Sequence, residues 1–199
     1  MSHIVKCVLI GDYGVGKSSI VSRYINNTYN EKNTPTLGVD FYTKIIHFKE
    51  KAFKFHIWDT AGQERFLAII KNYLRDLNVC FIVFDLTNRK SFENLENWLY
   101  ILSENNENEY LTKILVGNKF DGKPDVHQDE INDFCKKYNI DYYECSAKVN
   151  YKLKNFFIGA CEDLYNKLVT NKITLRSFPR LELYELCPQK RLSRCCTIL

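Results

Sequence analysis

Gly11-Asp12-Tyr13-Gly14-Val15-Gly16-Lys17-Ser18 is the stretch on which the reading of this sequence turns. Its G-x-x-x-x-G-K-[ST] pattern puts glycines where a backbone must bend tightly and aim N–H groups at phosphate oxygens, helped by the positive end of the following helix. Upstream, Ile4 to Ile10 is a short apolar run. Downstream, Ile20, Val21, Tyr24 and Ile25 recur at helical spacing. A strand before and a helix after are the context in which such a loop binds phosphate. Gly14, Val15 and Gly16 are then backbone contacts, Lys17 is placed to reach the β- and γ-phosphates, Ser18 to ligate Mg²⁺, and Ser19 counts among the nucleotide contacts.

Working outward, the remaining chain alternates strand and helix. Asp40 to Asp59 holds two extended segments around the polar turn Lys49-Glu50-Lys51, which predicts a hairpin whose second strand turns Phe53, Phe55 and Ile57 to one face. Cys80 to Phe84 is a continuous apolar run, as in a strand buried on both faces, and Phe92, Leu95, Leu99 and Leu102 form a helical stripe. Ile114 to Val116, the helix carrying Ile131, Phe134, Cys135 and Tyr138, the strand Tyr142 to Cys145, and the helix carrying Phe157, Ala160, Cys161, Leu164 and Leu168 complete the series. This order predicts an α/β three-layer fold, a mostly parallel six-stranded sheet flanked by about five helices, with ligands at the carboxyl ends of the strands. The periodicity fails after about Val169, so a single domain over residues 1–170 and a flexible tail over 171–199 are expected.

A phosphate loop also serves ATPases, kinases and transport ATPases, so base selection must come from elsewhere. Asn118-Lys119-Phe120-Asp121 follows the strand ending at Val116, where the Asp121 carboxylate can accept hydrogen bonds from the ring N–H and exocyclic amine of guanine. Adenine offers the wrong pattern. The Lys119 stem can pack on one face of the base and Tyr29 cover the other, while Ser146-Ala147-Lys148 adds contacts around the guanine carbonyl. In Asp59-Thr60-Ala61-Gly62-Gln63-Glu64, Asp59 can face the metal through water, the Gly62 N–H can meet the γ-phosphate, and Gln63 can orient an attacking water. Thr36, within Thr34-Pro35-Thr36-Leu37-Gly38, is the natural second Mg²⁺ ligand. Gln63 and Lys17 are the catalytic candidates. Loss of the γ-phosphate would release Thr36 and Gly62 together, which is the behaviour of a GTP/GDP switch.

Composition narrows the class further. A formal net charge of +4 over 199 residues is too small for a nucleic-acid footprint. Of eight cysteines, Cys7, Cys80 and Cys145 sit in strand-like apolar runs, and the adjacent Cys195-Cys196 lack metal-ligand spacing. His3, His47, His56 and His127 form no cluster in sequence. No secretory signal precedes Ile4, and no apolar run approaches the ~18–20 residues that span a bilayer, so a reducing, cytoplasmic setting is expected.

With these motifs in order, the chain resembles the Ras superfamily of GTPases, and within it the Rab branch, from about Ile4 to Leu168. The Rab resemblance rests on Gly38-Val39-Asp40-Phe41, on Ile57-Trp58-Asp59-Thr60-Ala61-Gly62-Gln63-Glu64-Arg65-Phe66 and on Ile82-Val83-Phe84-Asp85-Leu86-Thr87. It implies a switch in vesicle traffic that recruits effectors through Phe41, Trp58 and Tyr73. It also implies an exchange factor, an activating protein, a geranylgeranyl transferase with its escort protein, and a GDP-dissociation inhibitor. The end Cys195-Cys196-Thr197-Ile198-Leu199 fits C-a-a-X at Cys196, with Cys195 and Cys196 as lipidation sites, and Lys190, Arg191 and Arg194 would add attraction to an anionic cytoplasmic leaflet. Two departures stand out. Rab proteins usually carry Tyr-Tyr-Arg-Gly-Ala where this chain has Tyr73-Leu74-Arg75-Asp76-Leu77, and a small residue where it has Tyr13. A ring at Tyr13 is expected either to crowd Gln63 and an activating protein's arginine, slowing hydrolysis to leave a persistently GTP-bound module, or to swing outward to solvent or over the nucleotide without penalty.

Overall fold

Ser2–Ile10 forms β1, the strand from which the glycine loop departs. Its side chains alternate between two cores: Val5, Cys7 and Leu9 enter one, Val8 and Ile10 the other, all fully buried. That is how an apolar run behaves inside a sheet covered on both faces. The computed structural model describes residues 2–31 and 35–177.

After β1 come α1 (Lys17–Asn26), β2 (Val39–Phe48), β3 (Lys51–Thr60), a 3-10 turn (Glu64–Phe66) and α2 (Leu67–Tyr73). They are followed by β4 (Val79–Asp85), α3 (Arg89–Glu93), α4 (Leu95–Asn105), β5 (Thr112–Asn118), α5 (Gln128–Tyr138), β6 (Asp141–Glu144) and α6 (Leu153–Val169). The sheet order is β2-β3-β1-β4-β5-β6, antiparallel only at β2–β3. α3 and α4 abut at Asn94, so the predicted helical stripe from Phe92 to Leu102 is one rod with a break. The expected α/β architecture is the observed one.

α1 and α6 cover one face, where Phe81 meets Phe156 and Phe157 edge-on at centroid distances of 5.0 and 4.9 Å. α2, α4 and α5 cover the other through Ile70, Leu95 and Ile131. This second core explains the departure after α2. Leu74 and Leu77 are both fully buried in it, and Asp76 between them takes a left-handed φ of 53°. The five cysteines among the described residues are free thiols, four of them buried, and burial pushes the Cys145 thiol up to about 12.

One boundary is corrected. β4 pairs with β1 only from Cys7 onward, which leaves the first half of β1 with an open edge. The chain beyond α6 returns to that edge: the Ile4 N–H donates to the Arg176 carbonyl at 2.8 Å, Ser177 bridges His3 antiparallel, and Leu175 is buried. Ile173 and Leu175 thus pack on the first core while Arg176 and Ser177 pair with β1, in a stretch too short for a hydrophobic period to mark it as an element. The predicted lipidation residues Cys195 and Cys196, and Lys190, Arg191 and Arg194, lie outside the described residues, as does Thr34.

Candidate functional site

The loops after β1, β3, β5 and β6 converge at the carboxyl ends of the strands around a cleft of about 440 Å³. β1 lies where strand order reverses, the place where open α/β sheets leave a crevice. The antiparallel β2–β3 pair adds the rest. It sets Val39 opposite Thr60, so the loop before β2 and the loop after β3 meet at the same rim, joined by the Ala61 N–H donating to the Gly38 carbonyl at 2.9 Å.

At one end of the cleft the glycine loop wraps the start of α1, whose first turn carries no acidic residue. Gly16 sits at a left-handed φ of 95°, and a Cβ there would meet Asn118 Nδ2 at 2.3 Å. Lys17 is 5% exposed and its Nζ donates to the Gly11 and Asp12 carbonyls at 2.7 and 2.8 Å. Burial lowers its pKa, while Asp59 and Asp12 act in the opposite direction. Asp12 itself is tied down from α4 and its cap: its Oδ1 accepts from Asn94 Nδ2 at 2.6 Å and Trp98 Nε1 at 2.7 Å.

Ser18 and Thr36 approach from opposite sides, their hydroxyls 2.6 Å apart. Beneath them Asp59 is fully buried, and neither carboxylate oxygen has a hydrogen-bond partner. Burial raises its pKa; the nearby Ser18 hydroxyl, which bonds Thr36 rather than Asp59, and the Lys17 ammonium pull it down. A carboxylate orphaned in this way is costly unless a cation faces it. Two hydroxyls and a carboxylate make an all-oxygen donor set that fits Mg²⁺, and a polyphosphate on the other side would favour the charged form of Lys17.

At the other end lie Tyr29, Lys119, Asp121, Ala147 and Lys148. Lys119 takes a left-handed φ of 62° and its Nζ is 2.6 Å from Asp85 Oδ2, which fixes the direction of its stem. Asp121 accepts a hydrogen bond from the fully buried Ser146 hydroxyl. Asn118 acts as a brace: its Nδ2 donates to the Val15 carbonyl at 2.9 Å and its Oδ1 accepts from the Ala147 N–H at 3.2 Å. Gly14, Gly16, Lys17, Ser18, Ser19, Thr36 and Gly62 line the cleft with these residues, whereas Val15, Asp59 and Ser146 sit behind its wall. Gln63 is not brought into it. Its Oε1 accepts from Arg65 Nε at 2.7 Å, and Tyr13, at the rim, is 57% exposed.

A model described as the Ras family matches residues 6–166. The chain belongs to the Ras family. Its relatives include Ras-related protein Rab-13 of Bos taurus, 31% identical over 195 residues that make up 97% of this chain and 96% of that protein. Ras-related protein Rab-10 of Diplobatis ommata is 37% identical over 166 residues, 82% of each chain. Ras-related protein RABE1d of Arabidopsis thaliana is 36% identical over 169 residues, 83% of this chain and 78% of that protein. Within the Ras family the chain is thus a small GTPase of the Rab type.

Against that Rab framework, the ring trio Phe41, Trp58 and Tyr73 is brought together. Phe41 and Trp58 are opposed residues of β2 and β3 with centroids 4.9 Å apart, and Tyr73 lies 6.3 Å beyond Trp58. Phe41 is 52% exposed, so the group offers an apolar face near the loops before β2 and after β3. Several residues that organise this Rab-type site carried no sequence signal. Arg23 on α1 donates from Nε to the Ala147 carbonyl at 3.0 Å and from Nη2 to the Lys148 carbonyl at 3.1 Å, across more than a hundred residues of chain. Glu31 pairs with Lys148 at 2.8 Å across the mouth of the cleft.

Proposed function

We propose that this Rab-type GTPase is a membrane-traffic switch that binds Mg²⁺-GTP, recruits effectors while the γ-phosphate holds Thr36 and Gly62, and hydrolyses GTP slowly. The observation that carries the reading is the meeting of Ser18 and Thr36 over an unpartnered Asp59, because it brings the end of the glycine loop and the loop before β2 to one point suited to a cation. Ser18, Thr36 and, through water, Asp59 would hold Mg²⁺, which would offset the negative charge of the phosphates. Around it, Lys17 neutralises the β- and γ-oxygens, the start of α1 and the glycine-loop amides orient them, Asp121 reads guanine, and Gln63 orients water once it leaves Arg65. Phe41, Trp58 and Tyr73 form the effector face. A tail beyond residue 177, lipidated at Cys195 and Cys196, holds the protein on the cytoplasmic face of an intracellular membrane, where an exchange factor, an activating protein and a GDP-dissociation inhibitor act on it; prenyl transferase and escort protein load it. Among the described residues no helix is long and apolar enough to cross a membrane. The test is a single-turnover time course with purified full-length protein, in which bound GTP converts to GDP at roughly 10⁻⁴ to 10⁻³ s⁻¹ with Mg²⁺. Bound ATP, or no conversion over many hours, would overturn the reading.

Tyr13 is largely exposed at the rim of the cleft, and the proposed reading is that its ring obstructs an activating protein's arginine there. Tyr13→Ser is expected to change the unstimulated rate by less than ~3-fold and to raise the stimulated rate by at least ~10-fold, since an arginine so supplied is worth ~10³–10⁵ in rate. Equal stimulated rates for parent and variant would show that the ring is no obstacle.

The Glu31–Lys148 pair spans the cleft mouth with both side chains more than half exposed. Glu31→Gln is expected to speed GDP release by roughly 2-fold at low salt and not at all near 1 M salt, where screening has already removed the attraction. A salt-independent effect would point to another cause.

A further inference from the structure

Phe120 and Tyr151 stand outside the cleft, yet they stack on each other with ring centroids 5.0 Å apart and planes 11° from parallel. Each belongs to a different base-side loop. Phe120 lies between Lys119 and Asp121, and its N–H donates to the Cys145 carbonyl at 3.1 Å. Tyr151 exchanges both backbone hydrogen bonds with Ser146, at 2.9 and 3.1 Å. The Ser146 hydroxyl donates in turn to the Asp121 carboxylate, which closes a circuit: Asp121, Ser146, Tyr151, Phe120 and back to Asp121. Lys152 steadies the outer ring, its ammonium 4.9 Å from the Tyr151 centroid and 2.8 Å from Glu144.

The backbone around the two rings is strained. Lys119, Asn150 and Lys152 all take left-handed φ values, of 62°, 57° and 52°. Asparagine visits that conformation readily, whereas lysine keeps it only where the surroundings hold it there. All three residues directly adjoin one of the two rings in sequence. The stack joins the two loops at a further point, apart from their backbone hydrogen bonds, in the offset geometry that aromatic pairs favour.

We propose that the Phe120–Tyr151 stack is a positioning element for base recognition, clamping the Asn118–Asp121 and Ser146–Lys148 segments in the one arrangement in which Asp121 meets guanine. The stack thereby sets both the dwell time of the nucleotide and the discrimination between bases. This rests on the assignment of Asp121 to the base under the proposed function. Neither ring touches the nucleotide cleft, so the effect is exerted through Asp121 and Ser146.

The test uses the full-length protein and two probes, GDP and inosine diphosphate, which lacks the exocyclic amine that Asp121 accepts from. Release of each is measured for the parent, Phe120→Ala, Tyr151→Ala, the double variant and the conservative Tyr151→Phe. Phe120 is 40% exposed, so its truncation leaves both cores intact. Each alanine variant is expected to release GDP ~5-fold faster and to narrow the preference for GDP over inosine diphosphate by ~2- to 3-fold, as befits loss of one aromatic pair. The double variant is expected to match the single ones, and Tyr151→Phe the parent. A merely structural role would shorten the dwell of both nucleotides equally. An unchanged preference, or single effects that multiply in the double variant, would therefore overturn the proposal while leaving the Asp121 assignment in place. A parent that holds both nucleotides equally would overturn the assignment and the proposal together.

Discussion

Asp121→Asn is expected to lower affinity for GTP by about 10²-fold and to raise affinity for xanthosine triphosphate above that for GTP. The carboxylate lines the base end of the cleft and presents only acceptors, matching the two N–H groups guanine offers side by side. An amide keeps one acceptor and replaces the other with a donor, which then faces the exocyclic amine donor to donor. Xanthine carries a carbonyl there and restores the match. A charge-assisted hydrogen bond is worth about 1.5–3 kcal/mol, and a buried donor left unmatched adds to the loss, so about 3 kcal/mol, or ~10²-fold, is the expected scale. The amide oxygen can still accept from the Ser146 hydroxyl, so the loop is kept and the change is one of base choice. Displacement of a fluorescent guanine nucleotide by GTP and by xanthosine triphosphate measures it. Unchanged GTP affinity would remove Asp121 from base recognition.

Gly62→Ala is expected to cut single-turnover hydrolysis by about 10²-fold while leaving GDP affinity within ~3-fold of the parent. A Cβ on Gly62 would lie 2.3 Å from Asp12 C, 2.4 Å from Asp12 O and 2.4 Å from Tyr13 N. All three are backbone atoms of the glycine loop, so no side chain can swing aside. That loop is itself held from behind, through the Asp12 carboxylate bonded to Asn94 and Trp98. The loop bearing residue 62 must therefore retreat by about 1 Å, and Gln63, one residue on, retreats with it. A displacement of that size away from a reacting water costs on the order of 10²-fold in rate. Gly62 does not sit at a left-handed φ, so the backbone itself tolerates alanine and the effect isolates close approach. The same retreat takes the residue 62 N–H out of reach of the γ-phosphate, so the preference for GTP over GDP should narrow by at least ~10-fold. Release rates of the two nucleotides measure it. Parent-like hydrolysis would mean that the loop closes on GTP by another path.

These two expectations draw on different kinds of information. The proposed role of Asp121 is legible in Asn118-Lys119-Phe120-Asp121, because guanine's hydrogen-bonding pattern calls for a carboxylate and a short motif after a strand places it. The close approach at Gly62 is not. Its N–H was legible as a phosphate ligand from Asp59-Thr60-Ala61-Gly62-Gln63, but the crush against Asp12 depends on how the end of β3 meets the loop after β1, a matter of parallel register between strands some fifty residues apart. Asn118 shows the same division within a single side chain. The sequence marked it as part of base recognition, and the structure makes it the brace between the glycine loop and Ala147.

By itself, the sequence determined the alternation of strand and helix and the membership of the chain in a family of guanine-nucleotide-binding proteins, and it marked the residues proposed for phosphate, base and metal. Hydrophobic period and motif spacing are local properties, written within a few residues of one another. Only the tertiary structure decided that Tyr13 is exposed at the rim of the cleft, that Gln63 rests on Arg65, that Leu74 and Leu77 fill the second core, and that Arg176 and Ser177 pair with the open edge of β1. The glycine loop with which the reading began is therefore local in its chemistry and non-local in its rigidity. Its phosphate-binding amides follow from Gly11 to Ser18, whereas the groups that hold it still come from Asn94, Trp98 and Asn118. Contacts across that much chain are fixed by sheet register and helix packing, and no short stretch of sequence carries them.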